Sequence, residues 1–551
     1  MKVTISGPQL EKQYLEFDHN ISVEEVLNMY KDKMPYPIYL CKLNNIYRGI
    51  PHIIHHDSDI EFLDIRNNAA WTAYQDSLIL LYSKAVHDVL GKDTSISIRY
   101  SFNKGVYTLL SKSSDDEQLN RIEARMRELV EEDLPIVKKH MTKAQAIALA
   151  QSQNMHETQD LLESIPSLQN VEIFSLDDEV EIFYGLLVPS TGYLKLFELR
   201  KYQDGILMRY PHPSDPNVIP EYEDQQILYS AFAETTRWGE LLGINYVDDL
   251  NAMIHQGNMK DVYLLQEALH EKRISDLADE IVESKRRLVL ICGPSSSGKT
   301  TFAKRLCIQL RVNGVKTLYM GTDDYFVESS QAPLDANGER DYESIRAVDT
   351  KLFVSNLQDL LDGKETDLPH YDFSIQSKVF GQRMTKIDSD EVIVIEGIHA
   401  LNSILTEGID ENQKYKIYIS PFTPISIDSH NRIPSTDCRL LRRMVRDHQF
   451  RNWSVQETIK AWPKVRNGED NNIFPSVNEA HVFFNSNCIY EIAVLKKMAE
   501  PLLKEIDRSQ PEYAEAQRLL SFFRFFEATE DEDRIVNHSI IREFIGGSTI
   551  V

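Results

Sequence analysis

Apolar and polar positions alternate at the start of the chain, in Lys2-Val3-Thr4-Ile5-Ser6, and this period of two predicts a strand with one buried face. A short helical spacing near Val23 to Tyr30 completes a small α+β module assigned to residues 1–65. From Trp71 to Leu90 the spacing is helical. Strand-like segments, a charged helix over Asp116 to Glu132 and further short strands up to Arg209 follow, so residues 66–225 read as a second α+β domain. Between Glu223 and Glu283, Ile227, Phe232, Trp238, Leu242, Leu264, Leu269 and Ile281 recur at helical spacing and predict a helical connector, assigned to 226–283. Beyond it the pattern changes to short, wholly apolar runs separated by helices: Leu288 to Ile291, Val315 to Met320, Val392 to Ile395 and Ile417 to Ile419. Runs of that kind are strands buried on both faces, which predicts an α/β domain over 284–506 with a parallel sheet and helices on both sides. The remaining residues, 507–551, form a helical tail whose run Leu519-Leu-Ser-Phe-Phe-Arg-Phe-Phe526 is expected to bury against another domain.

A chain of 551 residues exceeds what one core supports, in keeping with this division. The net charge of −25 argues against broad attraction to DNA or to an anionic membrane, although a local basic stretch lies between Arg432 and Arg451. Five scattered cysteines show neither a disulfide framework nor metal-ligand spacing, so a reducing cytoplasm is expected. No apolar run reaches the length of a membrane span, and no membrane partner is expected. His52, His55 and His56 read as a surface loop rather than a metal site.

The strongest chemical signal is Gly293-Pro-Ser-Ser-Ser-Gly-Lys-Thr-Thr301, a GxxxxGK[ST] pattern between an apolar strand and a helix with Phe302, Leu306 and Leu310 on one face. A polyphosphate needs many donors and little bulk. Gly293 and Gly298, with Pro294, Ser295, Ser296 and Ser297 between them, let backbone N–H groups wrap phosphate oxygens at the positive end of a helix dipole. In such a loop Lys299 reaches the β and γ oxygens, Thr300 offers its hydroxyl to Mg²⁺, and Thr301 continues the helix start. The sequence therefore implies binding of a nucleoside triphosphate, ATP or GTP.

In open parallel sheets ligands lie beyond the carboxyl ends of the strands. Two acidic sites fall there, Asp323-Asp324 after the second apolar run and Glu396 after the third. One carboxylate can accept a proton from a hydroxyl nucleophile, and Glu396 can hold Mg²⁺ or its water. Arg439, Arg442, Arg443 and Arg446 recur at helical spacing and are suited to neutralising charge on a transferring phosphoryl group.

These motifs, together with Tyr342-Glu-Ser-Ile-Arg-Ala-Val-Asp349 and Pro369-His-Tyr-Asp-Phe373, resemble the uridine kinase and phosphoribulokinase group of P-loop kinases over roughly 290–505. The resemblance implies phosphorylation of a nucleoside 5′-hydroxyl, uridine or cytidine first, with Asp323 as base and Arg442, Arg443 and Arg446 on a mobile lid. It implies too that Glu343, Tyr371, Phe373, Gln376 and Arg451 face the acceptor. Glu343 stands where the family has Asp, and Gln376 where it has a base-reading histidine. A purine nucleoside or a sugar phosphate is the alternative acceptor. Family members are often oligomers, so a homo-oligomer is compatible with the resemblance.

The front half resembles the N-terminal region of threonyl-tRNA synthetase, its TGS domain over 1–65 and its editing domain beyond. The resemblance rests on Arg121 to Val130, Asp133-Leu-Pro-Ile136 and Val188-Pro-Ser-Thr-Gly-Tyr-Leu-Lys195. Where that editing site has histidine and cysteine, this chain has Asp76, Leu80, Phe183 and Leu187, so hydrolytic editing is not expected. A retained binding role, with RNA or a ribosomal partner and the nucleotide domain as a switch, is the competing expectation.

Overall fold

The computed structural model describes residues 1–112, 114–335 and 338–551. Residues 2–64 build a five-stranded sheet in which Lys2–Gly7 and Ser58–Asp64 pair in parallel and the other neighbours are antiparallel. The alternation seen in the sequence puts Val3 and Ile5 on its inner face, against Ile60, Phe62 and the helix Val23–Asn28. Ser22 and Glu25 fix the start of that helix through a reciprocal capping box.

The helix Asn68–Leu90 is buried over most of its length, which explains why its sequence carries so little polar periphery. Around it lie a four-stranded antiparallel sheet drawn from 96–110 and 198–209, a three-stranded sheet from 136–181, and the amphipathic helix Asp116–Glu132. Three helices, Gln226–Leu242, Val247–His255 and Met259–Ser284, then lead to the second half.

That half is an α/β domain. Its strands β1 (Leu288–Cys292), β2 (Thr317–Gly321), β3 (Val392–Glu396), β4 (Lys414–Ser420) and β5 (Val482–Asn485) lie in the order β2-β3-β1-β4-β5, and every neighbouring pair is parallel. The sequence pattern truncated β4 to Ile417–Ile419 because two lysines interrupt it. Lys414 and Lys416 lie buried in the strand with their amines paired to Glu411 and Glu479. β5 was missed altogether, being only four residues long and half aromatic.

Helix α1 (Lys299–Val312) follows β1, helices α2 (Ser435–Phe450) and α3 (Val455–Asn472) follow β4, and α4 (Glu491–Lys504) follows β5. The C-terminal segment returns through α5 (Tyr513–Phe523) and the short α6 (Arg542–Ile545). Its aromatic run is buried as expected: Leu519, Phe522, Phe523, Phe525 and Phe526 share one core with Phe302 and Leu306 of α1.

The two halves are knit together. Phe102, Tyr107, Tyr202 and Leu207 of the front half share a core with Leu288 and Ile393 of the parallel sheet. The loop between β4 and α2 is gripped by hydrogen bonds that include Ile98 N to Ser429 O at 2.8 Å, Tyr184 OH to Asp428 Oδ2 at 2.8 Å, and Asn431 Nδ2 to Ile182 O at 2.8 Å. Among the described residues no helix is long and apolar enough to cross a membrane.

Candidate nucleotide and phosphoryl-transfer site

The phosphate loop leaves β1 and enters α1. A Cβ on Gly293 would collide with the carbonyl oxygen of Ile419 on β4, so the close approach of loop to sheet requires glycine there. Gly298 has φ +84°, a left-handed conformation that glycine adopts without strain. Between them the hydroxyls of Ser296 and Ser297 are buried and lack any hydrogen-bond partner. Orphaned buried donors are costly, and in this loop they fit a polyphosphate. Lys299 Nζ folds back on Pro294 O at 3.1 Å, and Thr301 lies fully buried at the helix start.

At the carboxyl end of β3, Glu396 accepts from Thr300 Oγ1 at 3.0 Å and from Tyr319 OH at 2.8 Å, both on Oε1. Its other oxygen carries no such bond. Burial raises the Glu396 pKa, Lys299 opposes the rise and Asp323 adds to it. A hydroxyl and a carboxylate so placed suit a small hard cation, so the Thr300–Glu396 pair expected for Mg²⁺ is at least chemically apt.

Asp323 and Asp324 sit in a single turn after β2, Thr322–Tyr325, and are used differently. Asp324 accepts from His370 Nδ1 at 2.9 Å, Tyr371 N at 3.3 Å and Arg383 Nη1 at 2.7 Å. Among the described residues Asp323 makes no hydrogen bond through its carboxylate, and it is exposed. Crowding by the surrounding chain raises its pKa, while the charges of Lys299, Arg451 and Arg446 hold it down. Its open surface limits the rise. Gly397 keeps the two acidic sites together, because Thr322 packs where its Cβ would lie.

The arginines of α2 divide as well. Arg443 Nη1 donates to Ser295 Oγ at 2.9 Å and Arg439 Nη1 to Ser295 O at 3.3 Å, placing both against the phosphate loop. Arg446 is held by Asp447, with Nη2 at 2.7 Å from Oδ1, and Arg451 approaches the same carboxylate at 3.5 Å with its side chain 57% exposed. Arg442 corrects the expectation of a lid residue. It is fully buried beneath the loop, ion-paired with Glu491, and donates to Ser486 O at 2.8 Å. Nine residues of α2 are buried, so the helix is packed into the domain rather than standing clear as a lid.

Of the residues expected to face the acceptor, Glu343 lies beside Gly468 of α3. Burial and the nearby Glu469 push its carboxyl up to about 7 against the pull of Arg443 and Lys299. Tyr371 is buried and Phe373 is 65% exposed, their ring centroids 5.0 Å apart in an edge contact, with Phe326 5.8 Å from Tyr371. Gln376 occupies the turn of the hairpin His370–Asp372/Ser377–Val379, exposed and with φ +54°. Its side chain makes no hydrogen bond among the described residues. Residues that sequence reasoning missed are Tyr319, which orients Glu396, and Glu543 in α6, which reaches Thr301. The second carried no local signal, since the partners are 242 positions apart.

A cavity of about 660 Å³ lies between the halves, lined by Trp71, Asp76 and Arg99 on one side and by Pro294, Arg432 and Arg439 on the other. Asp76 points into it, its carboxyl pushed up to about 7 by burial and pulled down by Arg432. Leu80, Phe183 and Leu187 are core residues.

Strand order, phosphate loop and the acidic residues at the ends of β2 and β3 define a P-loop kinase domain. The sequence matches the phosphoribulokinase / uridine kinase family over residues 288–493. It is 30% identical over 177 residues to a uridine kinase of Ligilactobacillus salivarius, covering 32% of this chain and 74% of that protein. The chain belongs to the phosphoribulokinase/uridine kinase family. It is also 31% identical over 162 residues to a threonine–tRNA ligase of Methylobacillus flagellatus, covering 29% of this chain and only 25% of that protein. Among solved structures, D-glycerate 3-kinase of Cryptococcus neoformans aligns over 48% of this chain and 89% of its own, with 14% identity and a TM-score of 0.22.

Proposed function

We propose that the protein transfers the γ-phosphoryl group of ATP or GTP to the 5′-hydroxyl of a nucleoside, uridine or cytidine first. The observation that carries this is the exposed Asp323 carboxylate, unbonded among the described residues and in the electrostatic company of Lys299, Arg446 and Arg451. In this reading Asp323 accepts the proton of the attacking hydroxyl, and its raised pKa suits a base that must hold that proton. The backbone of Gly293 to Thr301 and Lys299 bind the phosphates. Arg443 and Arg446 stabilise charge on the transferring group, with Arg439 bracing the loop. Thr300 and Glu396 would hold Mg²⁺, which supplies charge neutralisation of the phosphates when bound. Glu343 and Arg451 position the acceptor, Tyr371 and Phe373 stack on its base, and Gln376 offers both a donor and an acceptor near the hairpin tip. The deciding experiment is ADP release by the purified chain with Mg-ATP against nucleosides, sugar phosphates and no acceptor. Acceleration by uridine or cytidine supports the reading. Acceleration by a sugar phosphate alone moves it to the alternative acceptor class.

A second reading assigns the front half, as TGS-like and editing-like domains over 1–65 and 66–225, a regulatory role toward RNA. Its support is the route from Tyr184 and Ile98 through the loop 426–432 into α2 and on to Ser295. Filter binding of tRNA across a salt series tests it, and no saturable binding at low salt would count against it.

A further inference from the structure

The C-terminal segment ends on the phosphate loop. Glu543 Oε2 accepts from Thr301 N at 3.2 Å and from Thr301 Oγ1 at 2.7 Å. Ile540 Cγ2 would lie 2.5 Å from a Cβ on Gly298, and Lys304 Nζ donates to Ile550 O at 3.0 Å. Three successive parts of the loop and first helical turn are thus covered by residues 540–550.

The N–H groups of a helix's first turn have no partner inside the helix, and in a phosphate loop they are the donors offered to the anion. Thr301 is the third residue of α1, so its N–H is one of these donors. A carboxylate that takes it is a local mimic of phosphate: same sign, same acceptor chemistry, same donors. The two anions cannot share the seat, because neither brings a proton to bridge them.

The backbone beneath Glu543 is fixed. Ile540, Ile541 and Phe544 are fully buried, Ser539 Oγ bonds Glu267, and Arg542 Nη2 bonds Ile535 O at 2.7 Å and Glu532 O at 2.8 Å. The Glu543 side chain itself is only half-buried, and its carboxylate is held by the two bonds to Thr301. The geometry points to Glu543 as a built-in competitor for the nucleotide: its carboxylate must leave Thr301 before a phosphate can take the same donors, and nucleotide affinity is set partly by that exchange. This rests on the nucleotide-binding reading of the loop.

The test is calorimetric titration of Mg-ADP and of adenosine into the full-length protein, Glu543→Gln and Glu543→Ala, with thermal melting as a check on folding. Charge-assisted hydrogen bonds exceed neutral ones, so Glu543→Gln should bind Mg-ADP about three- to tenfold more tightly and Glu543→Ala at least as tightly as that. Adenosine, having no phosphate, should bind all three alike. Unchanged or weaker Mg-ADP binding by both variants, with melting intact, overturns the inference and makes Glu543 a structural part of the seat. Absence of binding of both Mg-ADP and Mg-GDP by every protein, the unaltered chain included, instead overturns the nucleotide reading beneath it.

Discussion

Asp323 and Asp324 are adjacent in one turn, yet Asp324 is tied by His370, Tyr371 and Arg383 while the Asp323 carboxylate bonds to nothing among the described residues. In the proposed reaction the pair would divide into a positioning residue and a reactive one. Asp324 joins the turn to the hairpin that carries Tyr371 and Phe373, and Asp323 is left available for chemistry.

Replacing Asp323 by Asn should therefore leave Mg-ATP affinity within about twofold and lower kcat by about 10²- to 10⁴-fold, the range for loss of a general base. Steady-state kinetics beside equilibrium binding measures both. Unchanged turnover would remove Asp323 from the mechanism. Asp324→Asn should raise KM for the acceptor more than it lowers kcat, since its effect is on hairpin placement.

Arg442 and Arg443, one position apart, should behave in opposite ways. Arg442→Ala leaves Glu491 buried without its partner and should cost about 3–5 kcal/mol of stability. Arg443→Ala, beside Ser295, should lower phosphoryl transfer with a melting temperature within a few degrees of the unaltered chain. Denaturant titration and turnover on both variants separate the roles.

The raised carboxyl of Asp76 makes a pH-dependent prediction. Its folded pKa of about 7 exceeds the unfolded value of 3.8, so between those values the folded chain binds more protons and stability falls as pH rises. Asp76→Asn should match the unaltered protein at pH 4 and exceed it at pH 8 by about 1–2 kcal/mol, the shift being discounted for the solvent its cavity admits. Melting curves at the two pH values decide it, and an equal gain at both would refute the assignment.

Gly397→Ala should force Thr322 away and separate Asp323 from Glu396. We expect at least a tenfold loss of turnover with the phosphate loop still able to bind nucleotide, read by kinetics and by calorimetry, since misplacement by about 1 Å is enough for such losses.

Much of the domain was legible in the sequence, and the reasons are local. The phosphate loop is a short-range pattern whose glycines meet short-range needs, and the purely apolar strands β1 and β3 announce burial on both faces. The sequence puts Asp323 and Glu396 at strand ends, where ligands lie, and Thr300 in the phosphate-loop pattern. What stayed hidden depends on tertiary pairing. Arg442 and Arg443 have the same residue type on the same helix, and only Glu491, far along the chain, makes one interior and the other a loop contact. Glu543 and Tyr319 acquire their roles from partners that no spacing rule connects. Lys414 and Lys416 shorten the strand that the pattern predicts, because lysine is seldom buried unless it is paired.

The shared core of Phe102, Tyr107, Leu288 and Ile393 has a consequence for handling the protein. A fragment cut at residue 284 would carry a raw aliphatic face where those tyrosine and phenylalanine rings had been, and would cling to itself in solution. Heat should reach the intact chain as a single cooperative event, both halves giving way together, because neither surface is finished without the other.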